Sequence, residues 1–142
     1  MGNKTFAMIK PDAVASGKLG KVIDATLQAG FSIKGGRLTL ITRAQAEEFY
    51  AVHRERPFYG ELVDFMSSGQ TFVMALEKDN AVQAWRDTIG ATDPAEAADG
   101  TIRKMYAENK GRNAVHGSDS DENAEKEIAF FFSEAEIIAS NL

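Results

Sequence analysis

The chain contains no cysteine, so a disulfide framework, a thiolate nucleophile and a cysteine-rich metal centre are all closed to it. Histidine is nearly as scarce. His53 and His116 are the two present, too few for a His-rich zinc site. No apolar run is long enough to span a bilayer. The run "FAMI" near the start is too short for a signal-sequence core and is closed by Lys10-Pro11-Asp12. In "MGNKTF", Phe6 stands where a myristoylation pattern needs Ser or Thr. A positive charge excess is also missing. The formal net charge of −5 argues against broad nucleic-acid or membrane-surface binding, while leaving room for a local basic pocket. The P-loop pattern is absent, although "SGKLGK" holds similar residue types. So are H-E-x-x-H, a nucleophile elbow and the protein-kinase loop set. These absences lead to the expectation of a cytoplasmic protein with no membrane and no stable nucleic-acid partner. Its 142 residues suit one domain, 1–142, with a real core.

What is present has a readable order. Thr5 to Ile9 reads as a strand stopped at Pro11. Leu19, Val22, Ile23 and Leu27 have helical spacing, closed at Gly30. Phe31 to Ile41 is a strand, with Gly35-Gly36 suggesting a bulge or close backbone contact. Thr42 with Gln45 forms a capping box, opening a helix predicted to reach about Arg54. A short helix from Tyr59 to Met66 follows Pro57, and Thr71 to Leu76 is a strand. Asn80 is placed as the cap of a helix running to Gly90, and "ATDPAEAADGTIRK" reads as irregular. A short strand ends at His116. Ser120 then caps a helix from about Asp121 to Phe132, with acids in its first turn. The core order is βαββαβ, the ferredoxin-like α/β arrangement. It predicts a four-stranded antiparallel sheet with helices packed on one face, plus additional helices. This order alone assigns no function.

Polar residues gather at the element ends. Lys10 closes the first strand, and Tyr50 and His53 lie three apart on a predicted helix. Arg86 lies near the end of another helix, Thr92 and Arg103 bracket the irregular stretch, and Asn113 and His116 surround the last strand. A Lys, two Arg, a Thr and a Tyr can grip a polyphosphate through charge-assisted hydrogen bonds without a glycine loop. Each also has a plainer reading. His116 fits a structural histidine, Tyr50 fits core beside Phe49, and Arg86 and Arg103 fit surface charges. Phe58 fits a loop anchor and Glu127 a solvated helix face. From the residues alone the reading is an anion pocket with a histidine in it.

"NAVHGSDS", from Asn113 to Ser120, resembles the N-x-x-H-G-S-D-S signature of nucleoside diphosphate kinases. "TFAMIKPDAV" is similar to that family's opening strand, and "FYAVHRERPFYGELVDFMSSG" to its helical hairpin. "GATDPAEAADGTIR" resembles its long loop and "NAEKEIAFFF" its closing helix. The likeness spans essentially the whole chain in the right order. It implies an enzyme that moves the γ-phosphate of an NTP to an NDP by a ping-pong route, with Mg²⁺ held mainly by phosphates and water. His116 matches the histidine phosphorylated on its pros nitrogen. Lys10 and Asn113 match residues that contact sugar hydroxyls, and Arg86, Thr92 and Arg103 match residues that hold phosphates. Phe58 matches the aromatic on which the base stacks, and Tyr50 lies beside the histidine. Ser118 and Glu127 match residues that steady the histidine and the leaving oxygen. A homo-oligomer, tetramer or hexamer, is implied as well. Lys110 departs, standing where an aliphatic residue often covers the other face of the base.

Two other classes compete. A non-catalytic nucleotide-binding relative should have lost one of His116, Lys10, Arg86, Arg103 or Asn113, and all are present. An RNA-binding ferredoxin-like module would want exposed strand aromatics and a basic face. Phe6, Phe31 and Phe72 make no such pattern, and the net charge is negative.

Overall fold

Alternation along the first strand dictates the architecture. Phe6 and Met8 join one apolar cluster, Ala7 and Ile9 another, and all four are fully buried. A strand buried on both faces needs cover on both. The computed structural model describes residues 2–138; residue 1 and residues 139–142 of the expected 1–142 domain lie outside the described residues. The chain runs β1 (Lys4–Ile9), α1 (Pro11–Ala15), α2 (Leu19–Gln28), β2 (Ser32–Leu40), α3 (Arg43–Phe49) and α4 (Tyr59–Met66). It continues with β3 (Gln70–Glu77), α5 (Ala81–Ile89), α6 (Ile102–Tyr106), β4 (Val115–Gly117) and α7 (Asp121–Phe131). The strands form one antiparallel sheet in the order β2-β3-β1-β4, as the βαββαβ reading requires.

Helices cover both faces, not one as the sequence reading had it. Val22 of α2 and Trp85 and Ile89 of α5 pack with Ala7, Ile9, Met74 and Leu76. Ala46 of α3, Val63 and Met66 of α4 and Phe131 of α7 pack with Phe6, Met8, Val73 and Ala75. The additional helices carry apolar stripes of their own, and the second sheet face is where those stripes are buried.

Local chemistry sets most boundaries. Thr42 Oγ1 accepts from the Gln45 amide at 3.1 Å, and Gln45 Oε1 accepts from the Thr42 amide at 2.9 Å. Ser120 Oγ accepts from the Asn123 amide at 3.1 Å. A bulge falls between Ile33 and Gly35. Four expectations change. Pro11 opens α1 instead of only ending β1, because proline suits a first helical position. The helix predicted to reach Arg54 stops at Phe49, and Ala51–His53 tighten into a 3-10 turn, so Tyr50 and His53 do not share an α-helical face. Asn80 precedes α5 in a left-handed conformation and makes no side-chain cap. The irregular stretch ends in α6, whose cap is Thr101, accepting from the Lys104 amide at 3.3 Å.

Gly90 closes α5 at φ +88°, ψ −176°, a region left almost wholly to glycine. A Cβ there would sit 2.6 Å from Thr101 Oγ1, the cap of α6. Gly90→Ala should lower the unfolding free energy by about 1–3 kcal/mol. Gly60→Ala, inside α4 with open space around it, should lower it not at all. Urea unfolding of both variants decides this, and equal midpoints would refute the strain.

Candidate active site

The last strand begins with a strained turn. The Val115 amide bonds the Asn113 carbonyl at 2.9 Å, closing a three-residue turn, and Ala114 at its centre has φ +73°. For a residue with a Cβ this is a rare conformation costing about 1–3 kcal/mol. The surroundings hold it. The Lys10 amide donates to the Ala114 carbonyl at 2.8 Å, and the Ala114 amide donates to Asp12 Oδ2 at 3.0 Å. Arg103 donates to the Val115 carbonyl at 2.9 Å and to the Gly90 carbonyl at 3.0 Å. Trp85 Nε1 donates to the His116 carbonyl at 3.1 Å. Gly117 follows because a Cβ at that position would lie 2.7 Å from Trp85.

The His116 ring is held just as firmly. Its Nε2 lies 2.8 Å from Glu127 Oε1, and Ser118 Oγ donates to the same oxygen at 2.8 Å. An ionised carboxylate only accepts, so Nε2 carries a proton, and in the neutral ring the lone pair then lies on Nδ1. Phe49 and Phe6 approach the ring edge-on, with centroids at 5.5 and 5.9 Å. Tyr50 stands perpendicular to it at 6.5 Å. The Tyr50 hydroxyl is buried without a hydrogen-bond partner, and burial, reinforced by Glu127, raises its pKa well above the ordinary tyrosine value. A cleft opens beside the ring, lined by Tyr50, His53, Asp119, Lys126 and Phe130 among others.

Cations stand at the turn before the ring, where the Lys10 amide holds the Ala114 carbonyl and Arg103 holds the Val115 carbonyl. Lys10 is buried, with Nζ donating to Asn113 Oδ1 at 2.8 Å. Asn113 Nδ2 donates to the Thr92 carbonyl at 3.4 Å, which draws Thr92 towards the group. Burial pushes Lys10 down to about 8; repulsion from Arg103 adds to this and Asp12 opposes it. Burial and repulsion from Arg86 push Arg103 down to about 10. Arg103 forms no ion pair among the described residues, and its Nε is buried unbonded. Arg86 is exposed, and its charge helps hold Asp119 below the usual carboxylate range, behind the hydrogen bond from Asn123. Buried cations that repel one another are a poor arrangement for stability and a good one for a polyanion.

The structure therefore brings Lys10, Thr92, Arg103, Asn113, His116, Ser118, Glu127 and Tyr50 together through contacts, with Arg86 coupled by charge. Arg103 is no surface charge, being 9% exposed. Phe58 is no core anchor. It is 44% exposed, with its ring 5.3 Å from that of His53. Lys110 is exposed at the tip of a turn closed by Glu108 and Arg112.

A family profile described as nucleoside diphosphate kinase matches residues 3–137. The nucleoside diphosphate kinase of Chlorobium chlorochromatii is 57% identical over 138 residues, covering 97% of this chain and 99% of that protein. The nucleoside diphosphate kinase of Aquifex aeolicus superposes with TM-score 0.94 at 47% identity, over 96% of this chain and 99% of that one. A halophilic nucleoside diphosphate kinase from Halobacterium salinarum, solved in complex with CDP, gives TM-score 0.93 at 38% identity, over 100% and 95%. The chain belongs to the nucleoside diphosphate kinase family.

Several supports of the site carry no local mark in the sequence. Asp12 was visible inside "IKPDAV", but nothing near it in sequence marks its contact with Ala114. Nothing in the sequence sets Trp85 apart, and Phe49 stands out only as the neighbour of Tyr50. Alanine is a poor candidate for positive φ, so no local signal marks Ala114 itself.

Lys10 supplies a titration. In the unliganded fold its pKa lies below the unfolded value of 10.5. Between those values the unfolded chain binds more protons, so the Lys10 contribution to stability rises with pH from about 8 towards 10.5. A bound polyphosphate favours the charged amine and reverses the shift. ADP binding at pH 8 should therefore take up roughly half a proton per site, read by calorimetry in buffers of different ionisation enthalpy. Lys10→Met should abolish the uptake; equal heats for the parent protein across buffers would contradict the assignment.

Proposed function

We propose that this enzyme carries the γ-phosphate of an NTP to an NDP through a phosphohistidine on Nδ1 of His116, in a ping-pong exchange. The observation that carries the proposal is the Nε2–Glu127 contact at 2.8 Å, which leaves Nδ1 as the ring nitrogen with a lone pair, on a histidine that lines the cleft. The Nδ1 lone pair attacks the γ-phosphorus, and the bond to the β–γ bridging oxygen breaks. The NDP leaves with that electron pair. The proton stays on Nε2, where the Glu127 carboxylate offsets the positive charge the ring acquires. A terminal phosphate oxygen of a second NDP then attacks phosphorus, the N–P bond breaks, and neutral imidazole returns. Transfer of this kind needs positioning and charge neutralisation more than covalent assistance. Arg103, Arg86 and Thr92 supply these to the phosphates, while Lys10 and Asn113 engage the sugar hydroxyls.

Mg²⁺ belongs to the proposal as part of the nucleotide complex. Among the described residues no three His, Cys, Asp or Glu side chains converge. Magnesium keeps several waters and takes phosphate oxygens with few carboxylates, so a site rich in cations and hydroxyls fits an ion that arrives on its nucleotide. When bound, it neutralises phosphate charge as the bond breaks. The exposed Phe58 is the stacking platform, and stacking tolerates every base. Lys110 can lay its methylene stem across the opposite face. The 1–142 chain is read as one such domain, assembling as a tetramer or hexamer in the cytoplasm. Among the described residues no helix is long and apolar enough to cross a membrane.

The experiment is His116→Gly. Turnover should fall by several orders of magnitude, as other nucleophile deletions do, while ADP binding persists. Free imidazole should restore part of the turnover. Rescue stays partial because a tethered group is worth an effective molarity of about 10⁵ M or more. The same assay, run on the parent enzyme with GDP, CDP and UDP as acceptors, reads base tolerance. Near-parental turnover of the variant without imidazole would remove the covalent route, and a strict requirement for one base would remove the stacking account.

A further inference from the structure

Asp12 has no place in the reaction so far, yet it is 7% exposed and sits against the nucleophile's strand. Its Oδ2 accepts from the Ala114 amide at 3.0 Å, a contact that crosses 102 residues of sequence. Its Oδ1 is buried without a partner, so this carboxylate is desolvated for a single hydrogen bond. An acid in a first helical turn usually faces water and favours the helix dipole. Asp12 instead faces the one non-glycine residue near the site with positive φ, Ala114 at +73°. That turn sets two working groups at once. Asn113, on one side, takes Lys10 Nζ at 2.8 Å, and His116 stands two residues beyond on the other. The Lys10 backbone amide holds the Ala114 carbonyl, so the segment from Lys10 to Asp12 grips both polar groups of the Ala114 backbone.

We propose that Asp12 is a positioning residue for phosphoryl transfer: its carboxylate, by holding the Ala114 amide, maintains the strained turn that aims His116 and Asn113. The proposal rests on the phosphohistidine reading above. Asp12 touches no reacting atom. Its effect runs through the backbone, and misplacing a reacting group by about 1 Å costs on the order of 10²-fold in rate.

The test is a set of variants read by the rate at which ATP and Mg²⁺ phosphorylate His116 in a single turnover, beside the ADP dissociation constant. Asp12→Ala loses both acceptor and charge. Asp12→Asn loses the charge and keeps the acceptor. Asp12→Ala should transfer about 100-fold more slowly, with a much smaller change in ADP affinity. Asp12→Asn should recover most of the rate, which a role of bulk charge near Lys10 would not allow. The decisive comparison uses Ala114→Gly, because glycine adopts positive φ without a clamp. In that background the Asp12→Ala loss should shrink to less than about 10-fold, each rate taken against its own parent. If Asp12→Ala does not fold alone, Asp12→Asn and the double variant still decide. A folded Asp12→Ala at parental rate, an Asn variant as slow as the Ala variant, or equal losses in both backgrounds would overturn the proposal. If the parent enzyme itself forms no phosphohistidine, it is the covalent reading that falls, before Asp12 is reached.

Discussion

One carboxylate oxygen, Oε1 of Glu127, lies 2.8 Å from His116 Nε2 and accepts from Ser118 Oγ at 2.8 Å. The chemical identity of the site follows from that contact. It sets the tautomer, and the tautomer decides which ring nitrogen keeps its lone pair. The contact in turn depends on the core. Glu127 rides on α7, which is seated by Phe131 stacked on Phe6 of β1 at 5.3 Å. From the other side of the sheet, Trp85 bonds the His116 carbonyl. Helices on both faces therefore hold one short strand, and the ring's direction is a property of the whole sandwich.

The cations follow the opposite logic. Lys10 and Arg103 are buried close enough to repel, and each is harder to protonate than in water. Asp12 and the Asn113 side chain offset part of that strain for Lys10. Sites shaped to receive an anion commonly give up stability in the free state. The strained Ala114 belongs to the same arrangement, since its turn brings Asn113 and His116 to one place.

Much of this was legible in the sequence because its causes are local. Short continuous apolar runs mark β1 and β3, and the side-chain oxygens of Thr42 and Ser120 mark the starts of α3 and α7. "NAVHGSDS" marks the site because its residues stay contiguous. What escaped depends on contacts distant in sequence. Asp12 stands in plain view beside Pro11, but its contact with the Ala114 amide joins residues 102 apart. Arg103 reads as solvated until the carbonyls of Gly90 and Val115 are seen around it. The second covered face was hidden because α3, α4 and α7 advertise apolar stripes but not the surface that receives them.

The central claim is that Glu127 holds Nε2 and leaves Nδ1 to take the phosphate. The most direct measurement is NMR of phosphoenzyme prepared with isotope-labelled histidine and kept at alkaline pH, reading which ring nitrogen couples to phosphorus. The account predicts coupling to Nδ1 of His116 alone, with His53 unmodified. Coupling to Nε2, or phosphate found only on Ser118 or Ser120, would contradict it.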